Sequence, residues 1–168
     1  PILVIGHAGA TRWEDVARLL ASSHPLRIAI LDTNGIEVAG DGGSEEAVGA
    51  SYGLLALAHG DAYVVQTSVG NPGHLIRGVT ESLTRQRPAL FQIHAPDPQA
   101  SGISPEKVAE QAQRAVQSRA VPLFEFDPES RGATLNLDEN PDTEADWSSQ
   151  ELTIKESSGT MTTLAPLT

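Results

Sequence analysis

The chain has 168 residues, enough for one domain that buries a sizeable core without disulfides or metals. Its 22 acidic and 11 basic side chains give a formal net charge of -11, which argues against nucleic acid and anionic membranes as partners. It contains no cysteine, so disulfides, thiolate nucleophiles and cysteine-ligated iron–sulfur clusters are excluded within this chain. No apolar run approaches the ~20 residues that span a bilayer and no signal-like segment opens the chain, so we expect a cytoplasmic location.

The first part of the chain alternates between strand-like and helix-like patterns. The apolar run 2–5 predicts a strand, and the apolar spacing over 11–20 predicts a helix with acidic residues in its first turn. Residues 26–31 predict a second strand, and their mainly apolar run is typical of a strand covered on both faces. A glycine-rich loop at 34–44 then leads to a mostly apolar helix over 45–59.

The same alternation continues through the middle of the chain. Strands are predicted at 62–67, 89–94 and 121–126, and helices at 71–83 and 104–116, each with proline at a favoured first position. Five strands separated by four helices predict crossover connections, which are right-handed in nearly all cases and place helices on both faces. We therefore expect an α/β fold with a doubly wound, mainly parallel five-stranded sheet.

The last forty or so residues follow a different pattern. The α/β domain is expected to occupy 1–127, and the polar, acidic stretch 128–150 predicts an ordered arm or linker. Within 151–168, alternating apolar and polar residues on either side of Ser157-Ser158-Gly159 predict a β-hairpin. Because a lone hairpin is marginal in water, we expect it to dock on this domain or on a neighbour.

Ligands of open α/β sheets bind beyond the carboxyl ends of the strands, so the loops at that edge are the candidate site. Gly6-His7-Ala8-Gly9 could present backbone N–H groups to an anion, or the glycines could simply shape a tight turn. Asp32-Thr33 and Asp41-Gly42-Gly43 offer the oxygen ligands that Mg²⁺ prefers, although a turn with an aspartate capping the next helix explains them equally well.

Other chemistries receive less support from the sequence. The five histidines show no spacing typical of metal ligands, and Ser68 lacks the nucleophile elbow of a serine hydrolase. A catalytic amine at Pro1 is a further alternative, favoured by the Pro-Ile start and disfavoured by everything after Gly6. No catalytic residue can be assigned.

Three segments nevertheless form a specific series: DAYVVQTSVG at 61–70, PALF at 88–91 and VPLFEFDP at 121–128, followed by LNLD at 135–138 and NPD at 140–142. This series resembles the thiamine diphosphate domain of pyruvate:ferredoxin (flavodoxin) oxidoreductases, over roughly residues 2–142. The resemblance implies a share in the oxidative decarboxylation of a 2-oxoacid to an acyl-CoA. It also implies that other domains or subunits supply the iron–sulfur clusters and the contact with ferredoxin or flavodoxin. The chain is compatible with a homo-oligomer.

The same resemblance implies a site for thiamine diphosphate and magnesium. In the family, a Gly-Asp-Gly segment and a later Asp-Thr…Asn-Thr-Gly-Gly segment hold the metal and the diphosphate. Here Gly6-His7-Ala8 stands at the first place without its carboxylate, and Gly40-Asp41 stands where Asn-Thr is expected. The implied cofactor-binding residues are Gly6, Thr33, Asp41, Gly42 and Gly43, of which Thr33 and Asp41 would bind the metal. The alternative is a cofactor-free domain with an assembly or regulatory role.

Overall fold

The computed structural model describes residues 2–7, 11–33, 51–130, 133–141, 152–155 and 161–164. These residues form eight strands, five α-helices and one 3₁₀ turn, Pro105–Lys107. The strands are β1 (Ile2–His7), β2 (Leu26–Asp32), β3 (Tyr63–Ser68), β4 (Ala89–His94), β5 (Phe124–Asp127), β6 (Thr134–Asn136), β7 (Leu152–Lys155) and β8 (Met161–Leu164). The helices are α1 (Trp13–Leu20), α2 (Tyr52–His59), α3 (Pro72–Ser82), α4 (Pro98–Ser101) and α5 (Val108–Gln117).

Six of the strands form one sheet in the order β1-β2-β4-β3-β5-β6, and β7 pairs with β8 as a separate antiparallel hairpin. The four strands β1, β2, β4 and β3 run parallel. The α/β fold with a mainly parallel sheet and the C-terminal hairpin are thus confirmed. Compared with the five strands expected, the sheet has a sixth, β6, which lies within the segment predicted as an acidic arm.

The fifth strand departs from a fully parallel order, because β5 runs antiparallel to β3 and β6 runs antiparallel to β5. The docking of α5 explains this direction. Ser68 at the end of β3 donates a hydrogen bond to the carbonyl of Ala112 in α5 (3.3 Å). A short link then brings the chain to Phe124, which pairs with Gln66 near the carboxyl end of β3. The chain therefore enters β5 from the carboxyl edge, and its direction is reversed.

The helices cover both faces of the sheet. Val16 and Leu20 of α1 pack in one core cluster with Val64 of β3, together with residues of α2, β2, β4 and β5. Val65, the next residue of β3, points to the opposite face, where a Cβ on Gly78 of α3 would lie 2.9 Å from both its methyl groups. Helices α1 and α2 therefore lie on one face and α3 on the other, as expected for a doubly wound sheet.

One polar side chain, Arg27 of β2, is buried beneath the end of α3. It is 5% exposed, and its guanidinium donates to the carbonyl of Ser82, to that of Arg85 (2.8 Å) and to that of Arg87 (3.1 Å). A helix end leaves carbonyl groups without intrahelical partners, and Arg27 satisfies those of α3 and of the turn that follows. Among the described helices, none is long and apolar enough to cross a membrane.

Candidate functional site

The carboxyl ends of the four parallel strands meet at one edge of the sheet, where the sequence predicted the site. The register places His94, the last residue of β4, between Asp32 of β2 and Ser68 of β3. On the outer side, His7 ends β1 beside Leu31. The structure therefore gathers one carboxylate, one imidazole and one hydroxyl on three adjacent strands.

Two of the five predicted cofactor-binding residues fall within the described part of the chain. Gly6 lies in β1 opposite Ile30, three positions before Thr33, so the fold brings both residues to the same edge. A Cβ on Gly6 would lie 2.7 Å from the hydroxyl oxygen of Thr11 and 3.1 Å from Ile30, which means that the glycine admits this close packing. The carbonyl of Thr33 accepts a hydrogen bond from the amide of Asp97 (3.2 Å).

The other three predicted residues, Asp41, Gly42 and Gly43, lie outside the described residues, as does the loop that carries them. The same is true of Pro1, the alternative catalytic amine. These predictions stay predictions.

A network of buried amides, which sequence reasoning missed, joins the sheet to the start of α2. The Gln92 side-chain nitrogen donates to Asp32 Oδ2 (3.1 Å), while its oxygen accepts from the Gly53 amide (2.7 Å) and lies 3.0 Å from Ser51 Oγ. The Gln66 oxygen also lies 3.0 Å from Ser51 Oγ. Since a serine hydroxyl carries one hydrogen, Ser51 donates to one of the two glutamines at a time. In the sequence, the signal for this network is a glutamine within each of two otherwise mainly apolar strands, Gln66 in β3 and Gln92 in β4.

This network occupies hydrogen-bond donors that an anion would otherwise use. The first turn of a helix has free N–H groups, and these bind phosphates in many α/β proteins. At the start of α2, the Gly53 amide donates to Gln92 and the Leu54 amide donates to Ser51 Oγ (3.2 Å). Two of the amides in the first turn of α2 therefore already have partners within the chain.

The described residues at this edge offer few side-chain ligands for a metal ion. Among them, no group of three or more histidine, aspartate or glutamate side chains could hold a metal ion. Asp32 supplies one carboxylate, and one of its oxygens already accepts from Gln92. Beside it, burial lowers the pKa of His94, and the charge of Asp32 opposes that shift. The Nδ1 atom of His94 is buried and has no hydrogen-bond partner among the described residues.

A second polar cluster lies on the opposite face, between α3 and β5. The Glu125 carboxylate is buried and accepts two hydrogen bonds from Arg77, from Nε (3.1 Å) and Nη2 (2.9 Å). His74 Nε2 lies 3.7 Å from the same oxygen, and the Tyr63 hydroxyl lies 3.4 Å from the other. Burial, followed by the charges of Glu125 and Glu81, raises the pKa of Tyr63. This cluster borders an open groove of about 530 Å³, and its partnered charges fasten α3 to β5.

Comparison with known proteins gives a distant similarity to one enzyme subunit. No family model matches the chain. The chain is 34% identical over 74 residues to the pyruvate synthase subunit PorB of Pyrococcus horikoshii, which covers 44% of this chain and 22% of that protein. It is also 34% identical over 73 residues to PorB of Methanosarcina barkeri, covering 44% and 25% respectively. The matched segments therefore span a quarter or less of these relatives, and the chain is similar to part of a pyruvate synthase subunit.

Proposed function

We propose that the chain is the thiamine-diphosphate-type domain of a pyruvate:ferredoxin oxidoreductase-like protein and works only with partner domains or subunits. The observation that carries this proposal is the 34% identity to PorB in two organisms. The mainly parallel sheet agrees with it, since the ends of β1 and β2 bring Gly6 and Thr33 to one edge. Because the chain has no cysteine, the clusters that carry electrons to ferredoxin or flavodoxin belong to other parts of such a protein.

In this proposal the chain contributes to the binding and orientation of a cofactor. Thiamine diphosphate, when bound, supplies the carbanion chemistry of 2-oxoacid decarboxylation. The described residues at the edge offer one carboxylate, Asp32, and the first helix turn of α2 is internally bonded. In this proposal, cofactor binding uses Gly6, Thr33, Asp41, Gly42 and Gly43, of which Thr33 and Asp41 bind the metal.

A second candidate function is a cofactor-free domain that serves assembly or regulation. Two observations favour it. A Cβ on Gly6 would lie 2.7 Å from the hydroxyl oxygen of Thr11, and two amides at the start of α2, those of Gly53 and Leu54, donate to Gln92 and Ser51. A domain whose polar groups at the carboxyl edge of the sheet are hydrogen-bonded by its own side chains can keep its fold without a ligand. The fold alone therefore does not imply cofactor binding.

Calorimetric titration of the full chain with thiamine diphosphate, with and without Mg²⁺, distinguishes these functions. The first predicts metal-dependent binding that is lost in Thr33→Ala and Asp41→Ala. Asp61→Ala is the matched control, because this exposed carboxylate lies just before β3, at the opposite edge of the sheet. Absence of binding at millimolar ligand would leave either a cofactor-free domain or half of a site that a partner domain completes.

A further inference from the structure

At the carboxyl edge of the sheet, the connections that follow neighbouring strands diverge at one point. The chain leaves β2 toward α2, on one face of the sheet, and leaves β3 toward α3, on the opposite face. Strand β4 lies between β2 and β3. In open α/β sheets, ligands bind where the connections change from one face to the other. The end of β4 is therefore the position at which a ligand-binding side chain is expected.

Strand β4 ends in His94, whose side chain is almost completely buried. The residue is 4% exposed. Its side chain points to the face covered by α1 and α2, because Leu90, four residues earlier in the same strand, belongs to the core on that face. The buried Nδ1 atom has no hydrogen-bond partner in the part of the chain that the structure describes.

The side chains on either side of His94 have hydrogen bonds within the chain. Asp32 Oδ2 accepts a hydrogen bond from Gln92 (3.1 Å). The Ser68 hydroxyl donates to the carbonyl of Ala112 (3.3 Å). Of the three side chains that lie in register at this edge, His94 is thus the one whose buried polar atom finds no partner among the described residues.

A buried nitrogen without a hydrogen bond costs free energy, and such groups are uncommon in native proteins. Thr67 Oγ1 and His74 Nδ1 are also buried without a partner among the described residues. However, Thr67 points to the face of Val65, which packs against α3, and His74 belongs to α3 itself. His94 differs from both because it ends its strand at the edge where a ligand is expected.

The cofactor site of the proposed function lies close to this imidazole. Asp32 and His94 are partners in the register, and Thr33 follows Asp32. Because strands lie about 4.8 Å apart and rise about 3.3 Å per residue, the Cα atoms of Thr33 and His94 are about 6 Å apart. Beyond the strands, the Ala95 amide donates to the carbonyl of Asp32 (2.8 Å) and the Asp97 amide donates to that of Thr33 (3.2 Å). These bonds keep the two chain segments side by side.

We infer that His94 donates a hydrogen bond to a diphosphate oxygen of the ligand that binds at this edge. The inference rests on the proposed function, in which Thr33 and Asp41 bind Mg²⁺ beside a diphosphate. An imidazole carries at least one N–H in either of its protonation states, and phosphate oxygens accept hydrogen bonds from it. A hydrogen bond in a buried position is stronger than one in water. Since the carboxylate of Asp32 repels an anion, the contact requires the metal ion.

Calorimetric titration of the full chain with inorganic pyrophosphate and Mg²⁺ tests this contact apart from the rest of the cofactor. His94→Leu should weaken binding at least about tenfold, which is the effect of losing one hydrogen bond to a charged acceptor. Thr67→Val is the matched control, because it also removes a buried polar atom without a partner among the described residues, but on the other face. It should leave the affinity unchanged. Absence of pyrophosphate binding at millimolar concentration, or equal affinity in His94→Leu, would overturn the inference.

The stability of the ligand-free chain provides a second measurement. His94→Leu should unfold at a urea concentration no lower than that of the unsubstituted chain, since leucine replaces a buried nitrogen that lacks a partner. Gln92→Leu, two residues earlier on the same face, should unfold at a lower concentration, because it removes the hydrogen bonds to Asp32 and Gly53. An equal loss of stability in the two variants would show that the imidazole has a structural role and would reject the contact.

Titration with thiamine diphosphate separates this inference from the proposed function. Binding that is lost in Thr33→Ala but retained in His94→Leu would reject the contact and leave the function standing. Conversely, the chain may be tested for a site that binds pyrophosphate but not thiamine diphosphate. Pyrophosphate binding that His94→Leu weakens, without any binding of thiamine diphosphate, would support the contact and count against thiamine diphosphate as the ligand of this chain.

Discussion

Gln92 donates its side-chain amide to Asp32 at a distance of 3.1 Å, which joins the two adjacent strands β4 and β2 at the carboxyl edge of the sheet. The same side chain accepts a hydrogen bond from the first turn of α2, at Gly53. One buried residue therefore connects two strands and a helix. Its removal would leave one polar group on β2 and one on α2 without this partner.

We expect Gln92→Ala to lower the free energy of unfolding by about 2–3 kcal/mol, because it leaves the Gly53 amide and one Asp32 oxygen unsatisfied. Urea denaturation followed by circular dichroism measures the loss. Gln99→Ala is the control, because Gln99 is exposed and should change stability by less than about 0.5 kcal/mol. Equal effects of the two substitutions would contradict the importance of the network.

Two glycines of α3 offer a matched pair. A Cβ on Gly78 would lie 2.9 Å from both methyl groups of Val65, whereas a Cβ on Gly73 would meet nothing within 4 Å. Gly78→Ala should therefore destabilise the fold by about 1–3 kcal/mol through overpacking. Gly73→Ala should be neutral, or stabilise by up to about 1 kcal/mol through helix propensity. Thermal unfolding of both variants measures these changes in stability. A Gly78→Ala variant as stable as the unsubstituted chain would refute the close approach of α3 to β3.

The pairing of Arg77 with Glu125 gives a third prediction. Arg77→Gln removes two hydrogen bonds from a carboxylate that stays buried, so we expect a loss of about 2 kcal/mol. Arg114→Gln breaks an exposed pair with Glu110 on α5 and should cost no more than about 0.5 kcal/mol. Denaturant titration of both variants provides the comparison. A larger loss for Arg114→Gln would show that the Glu125 cluster contributes little.

The buried His74 predicts how stability depends on pH. Burial lowers its pKa in the folded protein, against the attraction of Glu125 and Glu139. Below the unfolded histidine value of about 6.5, the unfolded chain then binds more protons than the folded one, so stability falls as the pH falls. His74→Leu should flatten the pH dependence of the unfolding free energy between about pH 6.5 and pH 5, by up to about 1.4 kcal/mol per pH unit. His24→Gln, at an exposed position, is the control substitution.

The sequence alone predicted the parallel part of the fold but not the direction of β5. Apolar runs and proline positions located β1 to β5 and the helices between them, because each is a local pattern. The direction of β5 depends on α5 docking at the end of β3 through Ser68 and Ala112, which are 44 residues apart. Such a contact leaves no periodic signal in the sequence.

The order and direction of the strands made the location of the candidate site predictable. They did not make the hydrogen-bond partners of its residues predictable. Parallel strands bring Gly6 and Thr33 to one edge whatever their side chains do. The glutamine network there, and Thr11 filling the space beside Gly6, depend on side-chain packing between residues remote in sequence. The binding of the cofactor by Asp41, Gly42 and Gly43 stays a prediction, which the calorimetric titration tests.

Arg27 limits how this region can vary among related sequences. Its guanidinium reaches three carbonyl groups at once, on Ser82, Arg85 and Arg87, from a buried position on β2. A planar group with several fixed donors can do this, whereas a lysine has a single ammonium point with a different geometry. The residue at this position is therefore coupled to the turn some 55 residues later, and Arg27→Lys would loosen α3 from β2.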